Sequence, residues 1–137
     1  MMISSKGRYA LRVMIDLAEH QDEGYIPLQT IVGREGISEK YLESILGVLS
    51  KAKLLDAVRG KGGGYRLARR PEDYTTFEIL SLTEGSLAPV TCLEHGQSCE
   101  NAASCRTLPL WQGLDKAIAD YLGSYTLEDL VQMGQKP

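Results

Sequence analysis

Residues 37–70 read ISEKYLESILGVLSKAKLLDAVRGKGGGYRLARR, and the fold turns on this stretch. Its first part is an amphipathic helix. Ser38 is a favoured N-cap, and Leu42, Ile45, Leu46 and Leu49 share one helical face. Lys40, Tyr41, Ser44 and Lys51 occupy the opposite face. The period then changes. Leu54–Arg59 and Gly64–Ala68 are short strand-like runs flanking Gly60-Lys61-Gly62-Gly63, a turn in which glycine supplies positive φ without a Cβ clash. Taken alone, a helix followed by a hairpin is simply a small α+β core.

Working outward, Leu28, Ile31 and Val32 mark a short helix that Gly33 and Gly36 close, and Tyr25-Ile26-Pro27 is long enough only for an edge strand. The first helix is capped near Ser4 or Ser5. Ala10, Val13, Met14 and Leu17 recur at i, i+3, i+4 and i+7, and the pattern dies in residues 20–24. Short helix, Gly-bearing turn, amphipathic helix and Gly-tipped hairpin is the order of a winged helix-turn-helix, a mostly α fold with a small β-hairpin wing. Its second helix enters a DNA major groove about 12 Å wide while the hairpin lies along the neighbouring backbone. Ser38, Lys40, Tyr41 and Ser44 lie in the first two turns of that helix, where side chains reach base edges. Arg59, Lys61 and Arg66 are cations suited to phosphate. Glu43 is placed either to accept from a cytosine amino group or to face solvent. A nucleotide-binding loop is excluded, because Gly60-x-Gly62-x-Gly64 has neither dinucleotide nor P-loop spacing and leads into a strand.

The charge distribution agrees. The net charge is −3 over 137 residues, yet residues 1–70 hold 12 Lys/Arg against 8 Asp/Glu, and residues 71–137 hold 3 against 10. Arg59 to Arg70 carries five cations and no acid. The whole-chain balance argues against a polyanionic partner, but the local one argues for it.

Downstream, Thr75-x-x-Glu78 is a capping-box signature opening a helix to about Glu84. Gly85–Cys105 has no periodicity, and a stretch of that length usually has a function of its own. Leu110, Leu114, Ile118, Tyr121 and Leu122, with Trp111 beside them, trace a helix that Gly123 ends. Thr126-x-x-Asp129 starts a last helical turn. The three cysteines, Cys92, Cys99 and Cys105, all fall in the aperiodic segment with C-x6-C-x5-C spacing. Their residue type and polar setting admit four chemistries: reduced structural thiols, a thiol-oxidation switch, a Cys3His zinc site closed by His95, or ligation of an iron–sulfur cluster.

Ser5-Lys6-Gly7-Arg8-Tyr9-Ala10, Ile37-Ser38-x-x-Tyr41-Leu42-Glu43 and Val58-Arg59-Gly60-x-x-Gly63-Gly64-Tyr65 resemble the Rrf-type winged-helix regulators of bacteria. So do the three-cysteine segment, Leu110-Trp111 and Thr126-Leu127-x-x-Leu130. The likeness covers nearly the whole chain and is nearest to the iron–sulfur cluster regulators. It implies a homodimer built on the long C-terminal helix and a two-fold-symmetric double-stranded DNA operator. It supports Ser38 and Tyr41 as contacts from the recognition helix and Arg59 from the wing. It also implies an iron–sulfur cluster, of two-iron or four-iron type, on Cys92, Cys99 and Cys105. The fourth ligand departs from the family. The histidine expected three positions after the third cysteine is Leu108, and the aspartate that another branch supplies near the N-terminus is Arg8. His95 is the candidate that remains inside the segment, with Glu94, Glu100 or an exogenous ligand as alternatives. Some relatives are controlled by binding a metabolic enzyme, which the acidic C-terminal half has the charge to attract.

At this length and composition the expectation is one domain with three parts: a DNA-binding region over 1–84, a sensor segment over 85–105, and a dimerisation helix and tail over 106–137. No apolar run reaches the ~18–20 residues of a spanning helix, and no secretory h-region follows the first charges, so a cytoplasmic protein is expected. Without C-x-x-C or a recognisable catalytic arrangement of the two histidines, an enzyme is not expected.

Overall fold

The structure is a computed structural model that describes residues 3–96 and 104–134. Helix α1 (Ser5–Glu19) starts where Ser4 Oγ accepts from the Gly7 amide at 3.1 Å. The Glu84 carboxylate closes over this end from across the fold, accepting from Ser4 N–H at 2.9 Å and from its hydroxyl at 2.8 Å. Helix α2 (Leu28–Glu35) follows Pro27. Gly36 alone ends it, with φ 66° and its amide on Val32 O at 3.0 Å, whereas Gly33 lies inside the helix and closes nothing. One left-handed residue is enough to stop a helix, and Gly33 is three residues too early.

Helix α3 (Glu39–Lys51) is capped by Ser38, whose hydroxyl accepts from Tyr41 N–H at 3.3 Å. It ends in a Schellman arrangement: Leu54 N–H reaches Leu49 O and Lys53 N–H reaches Ser50 O, both at 3.0 Å. Lys53 holds the left-handed position, φ 68°, that glycine usually takes. Strands β1 (Leu55–Val58) and β2 (Gly64–Leu67) then pair antiparallel, with Leu55 opposite Leu67 and Val58 opposite Gly64. Each is slightly shorter than the sequence pattern suggested. The edge segment at Ile26 reduces to a single bridge, exchanging amide–carbonyl bonds of 2.8 and 2.9 Å with Tyr65.

Helices α4 (Thr76–Glu84), α5 (Leu108–Gly123) and α6 (Leu127–Gly134) complete the chain. The capping box at Thr75 is half made. Thr75 Oγ1 accepts from Glu78 N–H, but the Glu78 carboxylate goes to the Arg69 guanidinium at 2.8 and 3.1 Å. At α6 both halves form, between Thr126 and Asp129, and the helix runs eight residues instead of one turn. The segment after α4, read as wholly irregular, contains one tight helical turn over Thr91–Gly96. Among the described residues no helix is long and apolar enough to cross a membrane.

The core is the meeting of the predicted stripes: Val13, Met14 and Leu17 of α1, Ile31 of α2, Leu42, Ile45, Leu46 and Leu49 of α3, with Ile79 and Leu127, are all buried. Each contributes about 1.5–3 kcal/mol by leaving water. Two polar anchors position the rest. The buried Asp16 carboxylate of α1 receives Arg34 of α2 through Nη2 at 2.7 Å and Nε at 3.0 Å. Tyr74, fully buried, donates to Leu54 O at 2.6 Å and accepts from the amides of Ala68 and Arg69, each at 3.0 Å. Tyr74→Phe keeps the ring but removes the acceptor of the Arg69 amide, leaving Ala68 N–H and Leu54 O only their mutual 3.3 Å bond, so it should lower stability by about 1–3 kcal/mol. A thermal melt should show the midpoint falling by roughly 3–10 °C.

Candidate nucleic-acid interface and cysteine segment

Helices α2 and α3 and the wing form one surface. Ser38, Lys40 and Ser44 are exposed along the first turns of α3. The Ser38 oxygen is occupied by the cap, which leaves its proton to donate outward, as toward a phosphate. Tyr41 is half-buried, its ring edge-on to Tyr9 of α1 at 5.8 Å, and the Arg12 guanidinium lies over the Tyr9 ring at 5.0 Å. Arg12 also donates to Glu35 Oε1 at 3.2 Å and to its carbonyl at 2.8 Å. Burial, reinforced by the neighbouring Asp16, holds the Glu35 carboxyl above the usual carboxylate range in spite of Arg12.

The wing projects beside α2. Arg59 follows β1, and Lys61 sits in the turn, which closes through a bond from Gly63 N–H to Gly60 O at 3.0 Å, with φ 91° at Gly60 and 78° at Gly62. A groove of about 420 Å³ runs between the wing and the start of α2, from Pro27 and Leu28 to Arg59 and Tyr65.

The basic run is less free in space than along the chain. Arg66 lies over the Tyr25 ring at 4.4 Å and 3.8 Å from Asp56, its cross-strand partner. Arg69 is bound to Glu78, and Arg70 lies 3.2 Å from Asp73. Of the five cations, only Arg59 and Lys61 have no acidic partner among the described residues. Arg66, expected to serve phosphate, also stacks on Tyr25 and faces Asp56, contacts that brace the wing. Sequence spacing could not show this, because Asp56 and Tyr25 arrive through strand pairing and tertiary packing.

Cys92 lies in the tight turn after α4, and Cys105 stands just before α5. Neither is in a disulfide. The Thr107 hydroxyl, 3.5 Å from Cys105 Sγ, and the backbone amides of Thr107 and Leu108 pull that thiol below its usual range. Cys99 and Glu100 lie outside the described residues, as does the side chain of His95. Leu108, the first residue of α5, offers no ligand atom.

The profile of the Rrf2 family, described as iron-dependent transcriptional regulators, matches residues 3–133. The chain belongs to the Rrf2 family. It is 39% identical over 132 residues to the HTH-type transcriptional regulator IscR of Aliivibrio salmonicida, covering 96% of this chain and 77% of that one. The corresponding figures for IscR of Xenorhabdus nematophila are 40%, 96% and 80%. Among solved structures it resembles CymR, the global cysteine regulator of B. subtilis, with a TM-score of 0.78 and 38% identity, covering 97% of this chain and 98% of that one. T. potens IscR gives 0.76 and 35%, covering 100% and 93%. The winged-helix architecture is thus that of Rrf2 regulators.

In this Rrf2 chain the glycines at the turn end of the wing, Gly63 and Gly64, are steric requirements. A Cβ on Gly64 would overlap the Ile26 carbonyl, and one on Gly63 would overlap that of Val58. Gly64→Ala should therefore push the hairpin off Ile26 and cost about 1–3 kcal/mol in a thermal melt. Gly62→Ala meets open space but a left-handed backbone and should cost less.

Proposed function

We propose that this Rrf2-family regulator works as a homodimer that reads a two-fold-symmetric double-stranded DNA operator and sets its affinity at the three-cysteine segment. The observation that carries the reading is Arg59 and Lys61, the two wing cations without acidic partners among the described residues, on a wing that stands beside the start of α2. Ser38, Lys40, Tyr41 and Ser44 supply contacts in the groove, while Arg59 and Lys61 lie on the flanking backbone. Lys61→Ala should lower the slope of log affinity against log salt by about one, and Arg59→Ala should weaken binding. Unchanged titrations for both variants would remove the wing from DNA.

Dimerisation is supported by α5. No residue of this helix is fully buried in the single chain, and Leu110, Leu114 and Tyr121 are 62%, 42% and 63% exposed. An apolar face of that size on a C-terminal helix fits a second copy across a two-fold axis, and pairing doubles the bases read. Leu110→Asp combined with Leu114→Asp should halve the mass measured by light scattering at micromolar concentration. Persistence of the dimer would place the interface elsewhere.

An iron–sulfur cluster on Cys92, Cys99 and Cys105 is supported by donor chemistry: three thiols on one segment, one of them, Cys105, held below the usual thiol range by Thr107 and the amides beside it. His95 is the proposed fourth ligand, with Glu94 as a described carboxylate in the same turn. Such a cluster supplies a redox-labile link among the thiolates. The chain's own part is to join Glu84, which caps α1, to α5, which carries the dimer face. Holding this connection in one geometry sets the separation of the two recognition helices at one turn of DNA, about 34–36 Å. The lowered Cys105 thiol also favours a second reading, sensing by thiol oxidation. Protein purified without oxygen should contain iron and sulfide and absorb in the visible, and Cys92→Ala should lose both. A colourless protein with full operator affinity would move sensing to thiol oxidation or to a protein partner.

A further inference from the structure

We infer that Glu39, held in place by Gln29, reads a cytosine amino group in the operator. The inference rests on the groove-helix reading above and adds a specificity residue to it. Glu39 is the first residue of α3, and Gln29 is the second of α2. Both are exposed, and Gln29 Nε2 donates to Glu39 Oε1 at 2.8 Å. A carboxylate only accepts, so this bond also fixes which way the Gln29 amide faces. It uses one carboxylate oxygen and one amide hydrogen. The other oxygen is left for a base edge and the other hydrogen for a phosphate, the two kinds of group that meet at the mouth of the major groove.

An acid at the start of a helix has an ordinary role, since it offsets the helix dipole by about 0.3–1 kcal/mol. That role calls for no partner on a neighbouring helix. Glu39 is bonded across to α2, which keeps its side chain at the end of α3 that enters the groove. A carboxylate there repels phosphate on every sequence and recovers that loss only where a base presents a donor. Cytosine does so through N4, with no acceptor beside it on its own edge. Adenine N6 is flanked by the N7 acceptor, which repels a carboxylate. Glu39 therefore penalises most sequences and favours one. Glu43, one turn further on, is exposed and has no partner among the described residues to fix its direction.

The test is a competition of wild type, Glu39→Ala, Glu39→Gln and Gln29→Ala against a library of singly substituted operator duplexes at constant salt, with thermal melts alongside. Wild type is expected to prefer C·G at one position of each half-site by roughly tenfold or more. Glu39→Ala should abolish that preference and tighten binding to unrelated DNA. Glu39→Gln should move the preference at that position away from cytosine, and Gln29→Ala should reduce it while leaving the other positions unchanged. Retention of the cytosine preference by both Glu39 variants would overturn the inference, even if their melts shifted. Absence of any base preference in the wild type would overturn the groove-helix reading itself, which distinguishes the two failures.

Discussion

The hydroxyl of Tyr74 is the point at which the helix-turn-helix and the wing are joined. A phenol offers one donor and accepts through its lone pairs, and here both functions are used within the core. Its partners are the residue leaving α3 and the two residues leaving β2, so this atom reinforces the direct Ala68 N–H to Leu54 O bond in tying the end of α3 to the base of the wing. Burial raises the Tyr74 pKa, which keeps its proton available to Leu54 O across the ordinary pH range. Arg69 lies over the ring at 5.0 Å and then reaches Glu78, extending the same junction to α4. The helix and the hairpin are thus fastened to each other and to α4 through one junction.

The other side of the head is set by charge. The buried Asp16 carboxylate is paired with Arg34, and this ion pair ties α2 to α1. Arg12 continues the arrangement in two directions, to the last residue of α2 and to the Tyr9 ring that supports Tyr41. Helix α1 contributes no residue to the expected DNA surface, yet it sets both the helix before the turn and a ring on the helix after it.

Much of the fold was legible because its signals are local. Ser38 and Thr126 cap where their spacing says they should, the stripe of α3 becomes core, and the glycines of the wing take their turn. The departures share one cause, which is that chain order does not reveal spatial neighbours. Gly33 and Gly36 look equivalent until one of them is in the left-handed position. Glu78 fits a capping box, but Arg69 lies closer to its carboxylate. The five cations of residues 59–70 appear unopposed because Asp56, Asp73 and Glu78 lie outside that window. For the candidate site, the exposed positions of α3 and the wing tip could be read from periodicity, whereas the pairing of Gln29 with Glu39 could not, since ten residues and a turn separate them. The three thiols were visible by type alone; only two fall within the described residues.

Lys53 shows charge and backbone ease pulling against each other at one residue. A non-glycine residue held left-handed costs about 1–3 kcal/mol, a sizeable share of what keeps any domain this size folded. Glycine would end α3 more comfortably but would remove a positive charge from the strand-facing end of the recognition helix. A glycine there would thus ease the backbone and remove one of the 12 Lys/Arg that make residues 1–70 the basic half of the chain.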